Sequence, residues 1–518
     1  MPRPHHSTSR RRSAVFRAKR YPFVILSAGI LVAALAPQGA QAAPRPAAKY
    51  DWPQFAFDAG KSANDTAEAT VNLGNVSGLK QLFKVSLPDA PDGSAVFLSD
   101  VTTPKGVKDV VYLQGEHGHL IASDARTGAT IWSHSFGPGG ISNSSPAIEP
   151  SRKFIYINAN DGKVHKVNVG DGTEVKTGGW PVTAGPGKSS SALTIATARN
   201  GHTYLYASNQ GHGRVTTIDL ANASTHVFNL TCSEHPDTET PSCSVRGANP
   251  WARGPAYDAA LDEFFQMGGT NNGSTFVPGH VWRQSWVALP ADGHTTMRNG
   301  GGYPADSYTP TNWAASVKSD QDIGSGGLLI LPTTLSKKFP NLGVQPGKDS
   351  KIRLLNLANL SGKGAAGNTG GELQLFSFGA MGNMRSQGAV WTDPATKAVW
   401  VFVTGHGGVA GFQVTVDAAG NPSLSLKWSV LNGWTSSAFV AGGVLYAANG
   451  AGEHTTSLKL HQVQAINPTT GKVVWTANIG LHHWSSPIMA NGVLYMIDGN
   501  SGGFGSGTSG DLIAWSLG

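Results

Sequence analysis

The sequence is poor in charge and in cysteine, and it lacks the common catalytic motifs. Only 14% of its residues are charged, and cysteine occurs twice in 518 residues. No Walker loop or His-Glu-x-x-His sequence is present, so the usual sequence evidence for a nucleotide hydrolase or a zinc protease is missing. Neither a Cys-x-x-Cys-His haem sequence nor an adjacent Cys-Cys pair occurs. Sustained helical periodicity is also missing, and the abundance of Gly, Ser, Thr, Asn and β-branched residues predicts an all-β protein.

The positive charge of the chain is concentrated at its N-terminus. Residues 1–42 contain seven of the 39 Lys and Arg residues and none of the 32 Asp and Glu residues, so residues 43–518 carry 32 charges of each sign. A formally neutral chain lacks the basic footprint that nucleic-acid binding requires. We therefore expect no nucleic-acid partner.

Residues 1–42 have the organisation of a cleaved secretory signal peptide. Six basic residues between Arg10 and Arg20 precede the apolar stretch Phe23–Ala36 and the small-x-small sequence Ala40-Gln41-Ala42. The apolar stretch is short for a membrane span, although a retained anchor is the alternative. We expect a secreted or periplasmic protein that keeps no stable membrane anchor after cleavage.

The two cysteines, Cys232 and Cys243, flank a short polar stretch. In an exported protein this arrangement predicts a disulfide bond that closes a loop. A metal site is the alternative, with His235 as the one nearby histidine.

The clearest repeat is the run Ala122–Trp132, which recurs as Ala465–Trp475 after a similar short apolar strand. A second signal is a cluster of small residues before an apolar strand, and it occurs eight times. Eight units with about four strands each predict an eight-bladed β-propeller. The eight clusters are Gly93–Ala95, Asn143–Pro146, Ser189–Ala192, Ala252–Pro255, Gly324–Gly327, Arg385–Gly388, Thr435–Ala438 and Trp484–Pro487.

The last unit, from Trp484 to Gly518, is too short for four strands. We expect Leu79–Leu87 to supply its missing outer strand, which closes the ring and removes its open edges. The predicted organisation is therefore a lead-in segment over residues 43–78, lying across one face, and a single propeller over residues 79–518. The longest units lie between Pro255 and Gly388 and carry the insertions.

The signature Ala-x-Asp/Asn-x-x-Thr-Gly-x-x-x-Trp resembles the tryptophan-docking motif of pyrroloquinoline-quinone (PQQ)-like repeats. These repeats build the propellers of the quinoprotein alcohol dehydrogenase-like superfamily. The run Asp51-Trp52-Pro53-Gln54-Phe55 is similar to an entry segment common in that superfamily. In this motif the tryptophans dock neighbouring blades and the glycines permit the turn, roles that fall here on Trp132, Trp475, Gly128 and Gly471.

In propellers, the loops that enter the innermost strands converge on the axis, and here they are polar and aromatic. The resemblance implies a PQQ cofactor stacked on an indole, with calcium held by Asp320 and Asp322 and one of these acids as the catalytic base. Tryptophans that plug the channel and aspartates that cap turns are the structural alternative. His482 and His483 are a candidate zinc or copper pair, although neighbouring residues on a strand point to opposite faces. The expected cofactor-binding residues are Arg253, Arg385, Trp251, Trp434, Trp484 and His482.

Three functions are compatible with this sequence. The leading hypothesis is a binding module for a small molecule, a glycan or an envelope protein, acting through the axial funnel and the inserted loops. The first alternative is a PQQ- and calcium-dependent dehydrogenase of alcohols or sugars, and the second is a cell-envelope assembly scaffold. We expect residues 306–313 to form an insertion over the funnel mouth that selects the ligand.

Overall fold

A computed structural model describes residues 49–137, 142–185, 189, 191–209, 213–235, 237, 253–269, 276–364, 366–450, 461–499 and 509–518. The described residues lie in one compact unit, Ala47–Gly518. Within them, no helix is long and apolar enough to cross a membrane. The predicted signal segment, Cys243 and Trp251 lie outside the described residues.

The chain forms an all-β ring of eight four-stranded blades, which confirms the predicted fold. Each predicted cluster of small residues stands directly before the innermost strand of a blade. The first two strands, β1 (Asn64–Asp65) and β2 (Leu79–Ser86), belong to the last two blades. Blade 1 comprises β3 (Val96–Thr103), β4 (Gly106–Gln114), β5 (His119–Asp124) and β6 (Thr130–Ser135). Blade 2 comprises β7 (Ala147–Ile148), β8 (Phe154–Asn158), β9 (Lys163–Asn168) and β10 (Val182–Thr183).

Blades 3 to 5 follow in chain order, and the last two of them carry insertions. Blade 3 comprises β11 (Thr194–Thr197), β12 (Thr203–Asn209), β13 (Arg214–Asp219) and β14 (Thr225–Asn229). Blade 4 comprises β15 (Ala256–Asp258), β16 (Glu263–Gly268), β17 (Ser285–Pro290) and β20 (Asp306–Tyr308), with the inserted hairpin β18 (Thr296–Arg298) and β19 (Gly301–Tyr303). Helix α1 (Trp313–Lys318) leads to blade 5, which comprises β21 (Leu329–Ile330), β22 (Leu342–Pro346), β23 (Lys351–Asn356) and β24 (Gln374–Ser377), with α2 (Ser361–Gly364) before its outer strand.

Blades 6 to 8 complete the ring. Blade 6 comprises β25 (Ala389–Thr392), β26 (Val399–Gly405), β27 (Gly408–Val416) and β28 (Pro422–Val430). Blade 7 comprises β29 (Phe439–Ala441), β30 (Val444–Asn449), β31 (Gln462–Ile466) and β32 (Val473–Asn478), with β1 parallel to β29. Blade 8 comprises β33 (Ile488–Ala490), β34 (Val493–Asp498), β35 (Asp511–Leu517) and β2. Short 3-10 helices occupy Val76–Gly78, Ala366–Asn368 and Gly379–Met381.

The strand that closes the ring comes from the N-terminal side, as the sequence predicts. β2 pairs antiparallel with β35, from Leu79 opposite Leu517 to Ser86 opposite Asp511. The side chain of Lys84 adds ion pairs with Asp498 and Asp511 on blade 8. β2 is thereby the outermost strand of blade 8, so strands from both ends of the propeller share one blade and close the ring.

The segment before β2 crosses the propeller at the axis and closes one end of the channel. Residues 52–63 make hydrogen bonds to the innermost strands of six blades, and the Trp52 side chain is only 1% exposed. The void that remains beside Trp52 and Phe55 holds about 10 Å³. The strand residues bonded by this segment are Phe97, Ile148, Ile195, Tyr257, Val390 and Val440.

Aromatic residues of one blade dock onto the glycine turn of the next blade. Trp132 of blade 1 donates its Nε1 hydrogen to Gly170 O of blade 2 at 3.1 Å, and a Cβ at Gly172 would lie 2.8 Å from the Trp132 ring. Trp428 of blade 6 contacts Gly471 of blade 7 in the same way. Only glycine permits this close approach at its positive φ.

Further docking contacts involve the closing strand. Gly128 of blade 1 lies against Phe83 of β2, and Trp475 donates its Nε1 hydrogen to Leu79 O of β2 at 3.2 Å. The tryptophan and the glycine of one repeat motif therefore serve different interfaces. Each motif therefore contributes its glycine to the interface with the preceding blade and its tryptophan to the interface with the following blade.

Trp132→Phe is expected to lower the free energy of unfolding by about 1–3 kcal/mol, because it removes a buried hydrogen bond and part of the interface volume. Trp475→Phe is the matched control, and its loss should be smaller because Trp475 is only half-buried. Urea denaturation of both variants measures the difference. Equal losses would contradict the docking role assigned to Trp132.

Candidate functional site

The candidate site is a group of buried and half-buried side chains where the loops enter the innermost strands, here called the axial cluster. Its members precede the innermost strands of several blades or lie in turns at the same end, and they are connected by direct contacts. The axial cluster consists of Asp92, Glu116, Asn143, Arg253, Arg385, His406, Trp434, His483 and Trp484.

Two arginines of the axial cluster are packed on indole rings. The guanidinium carbon of Arg253 lies 4.4 Å from the Trp484 ring centroid, and that of Arg385 lies 5.5 Å from the Trp434 centroid. Arg253 Nε donates to the backbone oxygen of Arg385 at 3.2 Å, which joins the two arginines. Arginine suits such a site because its planar guanidinium both stacks on aromatic rings and binds carboxylates in a bidentate manner.

The arginines and Trp434 offer hydrogen-bond donors that the protein itself does not use. Arg253 Nη2, Arg385 Nε and Trp434 Nε1 are buried and have no hydrogen-bond partner within the described residues. Burial lowers the pKa of Arg253 to about 10, while the nearby Asp92 carboxylate opposes this shift. Buried donors of this kind are costly unless they are paired, so they favour an anionic ligand.

Asp92 is the carboxylate that organises the axial cluster. Its Oδ2 lies 2.8 Å from His483 Nδ1, and its Oδ1 accepts the backbone N–H of Trp484 at 2.7 Å. Burial would raise the pKa of Asp92, but His483, the Trp484 N–H and Arg253 together hold it below its usual range. The rings of His483 and Trp484 stack at 4.6 Å, so Asp92 positions both.

Glu116 and Asn143 bring further oxygen atoms to Asp92. Asn143 Nδ2 donates to Glu116 Oε1 at 3.0 Å and also to Asp92 Oδ2, while Asn143 Oδ1 is buried without a partner. If the side-chain amide of Asn143 were rotated so that its nitrogen and oxygen exchanged places, Asn143 Oδ1, Asp92 Oδ2 and Glu116 Oε1 would point toward one position. Oxygen atoms are the ligands that Ca²⁺ prefers. This set of residues was not predicted from the sequence, although Glu116 precedes His117 in a Gly-rich turn and Asn143 begins a cluster of small residues.

Asp320 and Asp322, the acids expected to bind calcium, have a different environment. Asp322 is fully buried and forms an ion pair with Lys348 Nζ at 2.6 Å, whereas the Asp320 side chain is 75% exposed and lies 3.4 Å from the same nitrogen. A lysine between two carboxylates already neutralises charge that a divalent ion needs, so this pair fits calcium poorly. Their metal and catalytic roles stay predictions, and the Lys348 ion pair weighs against them.

The two neighbouring histidines of blade 8 contact different partners. His483 contacts Asp92, while the buried His482 ring lies 6.0 Å from the His461 ring. Burial and, to a smaller extent, the neighbouring His461 lower the pKa of His482 to about 4. This divergence weighs against a metal ion shared by His482 and His483.

Two other predictions concern regions outside the axial cluster. Within the predicted insertion 306–313, Asp306–Tyr308 is the outermost strand of blade 4, so this part lies at the rim and does not cover the funnel mouth. Cys232 is buried, but its expected partner Cys243 lies outside the described residues and the disulfide bond stays a prediction. In the described part of the chain, Cys232, Glu234 and His235 are the one group of three His, Cys, Asp or Glu side chains whose potential metal-ligand atoms lie close together.

Comparisons with known proteins agree with this architecture. Residues 81–241 match a family model described as outer membrane protein assembly factor BamB. No curated protein matches the sequence. Among solved structures, the chain is similar to the quinohemoprotein alcohol dehydrogenase of Comamonas testosteroni, with 15% identity, a TM-score of 0.60 and coverage of 91% of this chain and 81% of that one. It is also similar to a europium-containing methanol dehydrogenase, with 13% identity, a TM-score of 0.60 and coverage of 92% and 99%. At these identities the likeness concerns the fold.

Proposed function

Since this chain is an eight-bladed propeller built of PQQ-like repeats, in the fold of the quinoprotein alcohol dehydrogenase-like superfamily, we propose that it binds a small anionic molecule in its axial funnel. The observation that carries the proposal is the pair Arg253 and Arg385, each packed on an indole and each with an unused buried donor. A concave site with a few convergent polar groups and aromatic walls is typical of small-molecule binding.

Charge supports an anion over a neutral ligand. Asp92 lies close to Arg253 and also contacts His483, whereas Arg385 has no carboxylate within ion-pair distance among the described residues. The guanidinium of Arg385 therefore carries positive charge that the surrounding protein does not neutralise. A planar carboxylate would match both its charge and its fork of N–H donors.

The proposed location of the protein follows from its N-terminal sequence. We propose export to the periplasm or the exterior, directed by residues 1–42, with the folded propeller as the working part. A small molecule, a glycan or an envelope protein is the proposed class of partner, and nucleic acid is not.

Arg385→Gln is expected to weaken binding of an anionic ligand about 10- to 100-fold, because a charge-assisted hydrogen bond contributes about 1.5–3 kcal/mol. The measurement is titration calorimetry of residues 43–518 with PQQ, a planar polycarboxylate, with and without Ca²⁺. Arg126→Gln, at an exposed turn residue of blade 1, is the matched control and should bind normally. No binding of PQQ or of other aromatic carboxylates to the unaltered protein would refute the proposal.

A second candidate function is a PQQ- and calcium-dependent dehydrogenase, and the oxygen atoms of Asp92, Glu116 and Asn143 favour it. When bound, the quinone and the ion supply the hydride acceptor and a Lewis acid. In this function the oxygens of Asp92, Glu116 and Asn143 would hold the ion, and a carboxylate would accept the alcohol proton.

A dye-linked oxidation assay with alcohols and sugars distinguishes the two functions. Binding without turnover supports the binding module, whereas turnover that Glu116→Gln abolishes supports the dehydrogenase. The scaffold function instead requires recovery of a membrane protein complex that Arg385→Gln leaves intact.

A further inference from the structure

A cavity lies at the outer rim of the ring, against the outermost strand of blade 4 and away from the axial cluster. Its volume is about 470 Å³, which accommodates a small ligand. Most of its wall consists of polar groups. They are Arg298, Asn299, Tyr303, Asp306, Ser307, Lys363 and Asn368.

Two insertions in neighbouring blades build this cavity. In blades 4 and 5 the third and fourth strands are connected by residues 291–305 and 357–373, whereas blade 1 uses only residues 125–129. The insertion of blade 4 is the β18–β19 hairpin, whose Asn299-Gly300 turn has both residues at positive φ, as a tight two-residue hairpin turn requires. The insertion of blade 5 contributes α2, which packs against β20.

The hairpin carries a positive charge that the described protein does not neutralise. The guanidinium carbon of Arg298 lies 4.5 Å from the Tyr303 ring centroid, and no carboxylate lies within ion-pair distance of Arg298 in the described ranges. Lys363, by contrast, has its Nζ 3.6 Å from the buried Asp306. The ring of Tyr303 therefore orients a free guanidinium at the cavity, while the second cation is already paired.

A buried hydroxyl in the same wall also has no partner. Ser307 is fully buried, and its Oγ makes no hydrogen bond within the described part of the chain. Buried hydroxyls are nearly always hydrogen-bonded, so this one indicates a ligand group. The amides of Asn299 and Asn368 add donors and acceptors to the cavity wall.

We propose that this rim cavity binds a polyhydroxylated carboxylate, of which a hexuronate sugar is the representative. The carboxylate would contact Arg298, and the sugar hydroxyls would contact Ser307 and the two amides. One unpaired positive charge, several hydrogen-bonding groups and a mostly polar wall match such a ligand better than an aromatic acid or a neutral sugar. The site is separate from the axial funnel, so its test does not depend on the proposed function.

The experiment is a titration of residues 43–518 with glucuronate and galacturonate, in which binding is measured by calorimetry or ligand-observed NMR. Glucose, which lacks the charge, and acetate, which lacks the hydroxyls, should each bind at least tenfold more weakly. Arg298→Gln should weaken hexuronate binding at least tenfold. Ser307→Ala should weaken it while the melting temperature stays unchanged, because the hydroxyl has no partner in the folded protein.

Two control variants separate this site from the rest of the molecule. Arg126→Gln should leave hexuronate binding unchanged, and so should Arg385→Gln, which alters only the axial funnel. Glucose binding as tight as glucuronate binding would overturn the proposal, as would an Arg298→Gln variant of normal affinity. Loss of hexuronate binding in Arg385→Gln would instead assign the sugar to the funnel and likewise overturn the rim site.

Discussion

Asp92→Ala is expected to lower the free energy of unfolding by about 3–5 kcal/mol at pH 7, because it leaves the buried guanidinium of Arg253 and the buried ring of His483 without their carboxylate. Asp92 contacts His483 and the Trp484 N–H and also stabilises the charge of Arg253. Urea denaturation measures the change. Asp320→Ala is the matched control, and the loss there should stay below about 1 kcal/mol because that side chain is 75% exposed.

The effect of Asp92 should also depend on pH in a defined direction. Its pKa in the folded protein lies below the usual value, so the stability that it contributes is present above about pH 4. That contribution is lost as the pH falls through the lower pKa of the folded state. The stability difference between the unaltered protein and Asp92→Asn should therefore narrow below pH 4, and a constant difference from pH 7 to pH 3 would contradict this.

Lys61→Met is expected to raise the free energy of unfolding by about 3 kcal/mol at pH 7. Lys61 is 1% exposed in the segment that closes the channel, and its Nζ donates to Phe55 O at 3.1 Å. Burial lowers its pKa to about 7, and each pKa unit corresponds to about 1.4 kcal/mol of unfavourable charge burial. Loss of the hydrogen bond to Phe55 offsets part of the gain.

The pH dependence distinguishes this explanation from better apolar packing. Between pH 7 and the ordinary lysine pKa near 10.4, the unfolded chain still binds a proton that the folded Lys61 has released. The stability contributed by Lys61 therefore rises with pH in this window, so the advantage of Lys61→Met should shrink toward pH 10. Lys472→Met, at an exposed position, is the control and should show no such trend. A gain independent of pH would indicate packing alone.

The blade count and the closing strand could be predicted because their signals are local. Small residues are needed wherever a chain enters a crowded propeller axis, so eight clusters identify eight blades without knowledge of any contact. The closing strand follows from an incomplete last unit and one unassigned apolar segment, Leu79–Leu87.

The docking contacts and the axial cluster could be predicted only in part, because their partners come from different blades. Trp428 lacks the Thr-Gly of its own repeat, yet it meets Gly471 of the next blade. The ion pair of Asp322 joins it to Lys348, which lies on a later turn with no motif. Glu116 reaches Asn143 from another blade, and no spacing rule within one repeat could relate the two.

The strand that closes the ring also has a consequence for how the protein folds. β2 is synthesised before blades 1 to 7, whereas its partner β35 is synthesised after them. The entropy of closing a loop grows only slowly with its length, so the finished ring loses little stability by this arrangement. The arrangement instead slows folding, because contacts between residues distant in sequence form slowly. Strand edges stay exposed until these contacts have formed. Blade 8 should therefore be the last to acquire protection from hydrogen exchange during refolding, and the ring should become kinetically stable only at that step.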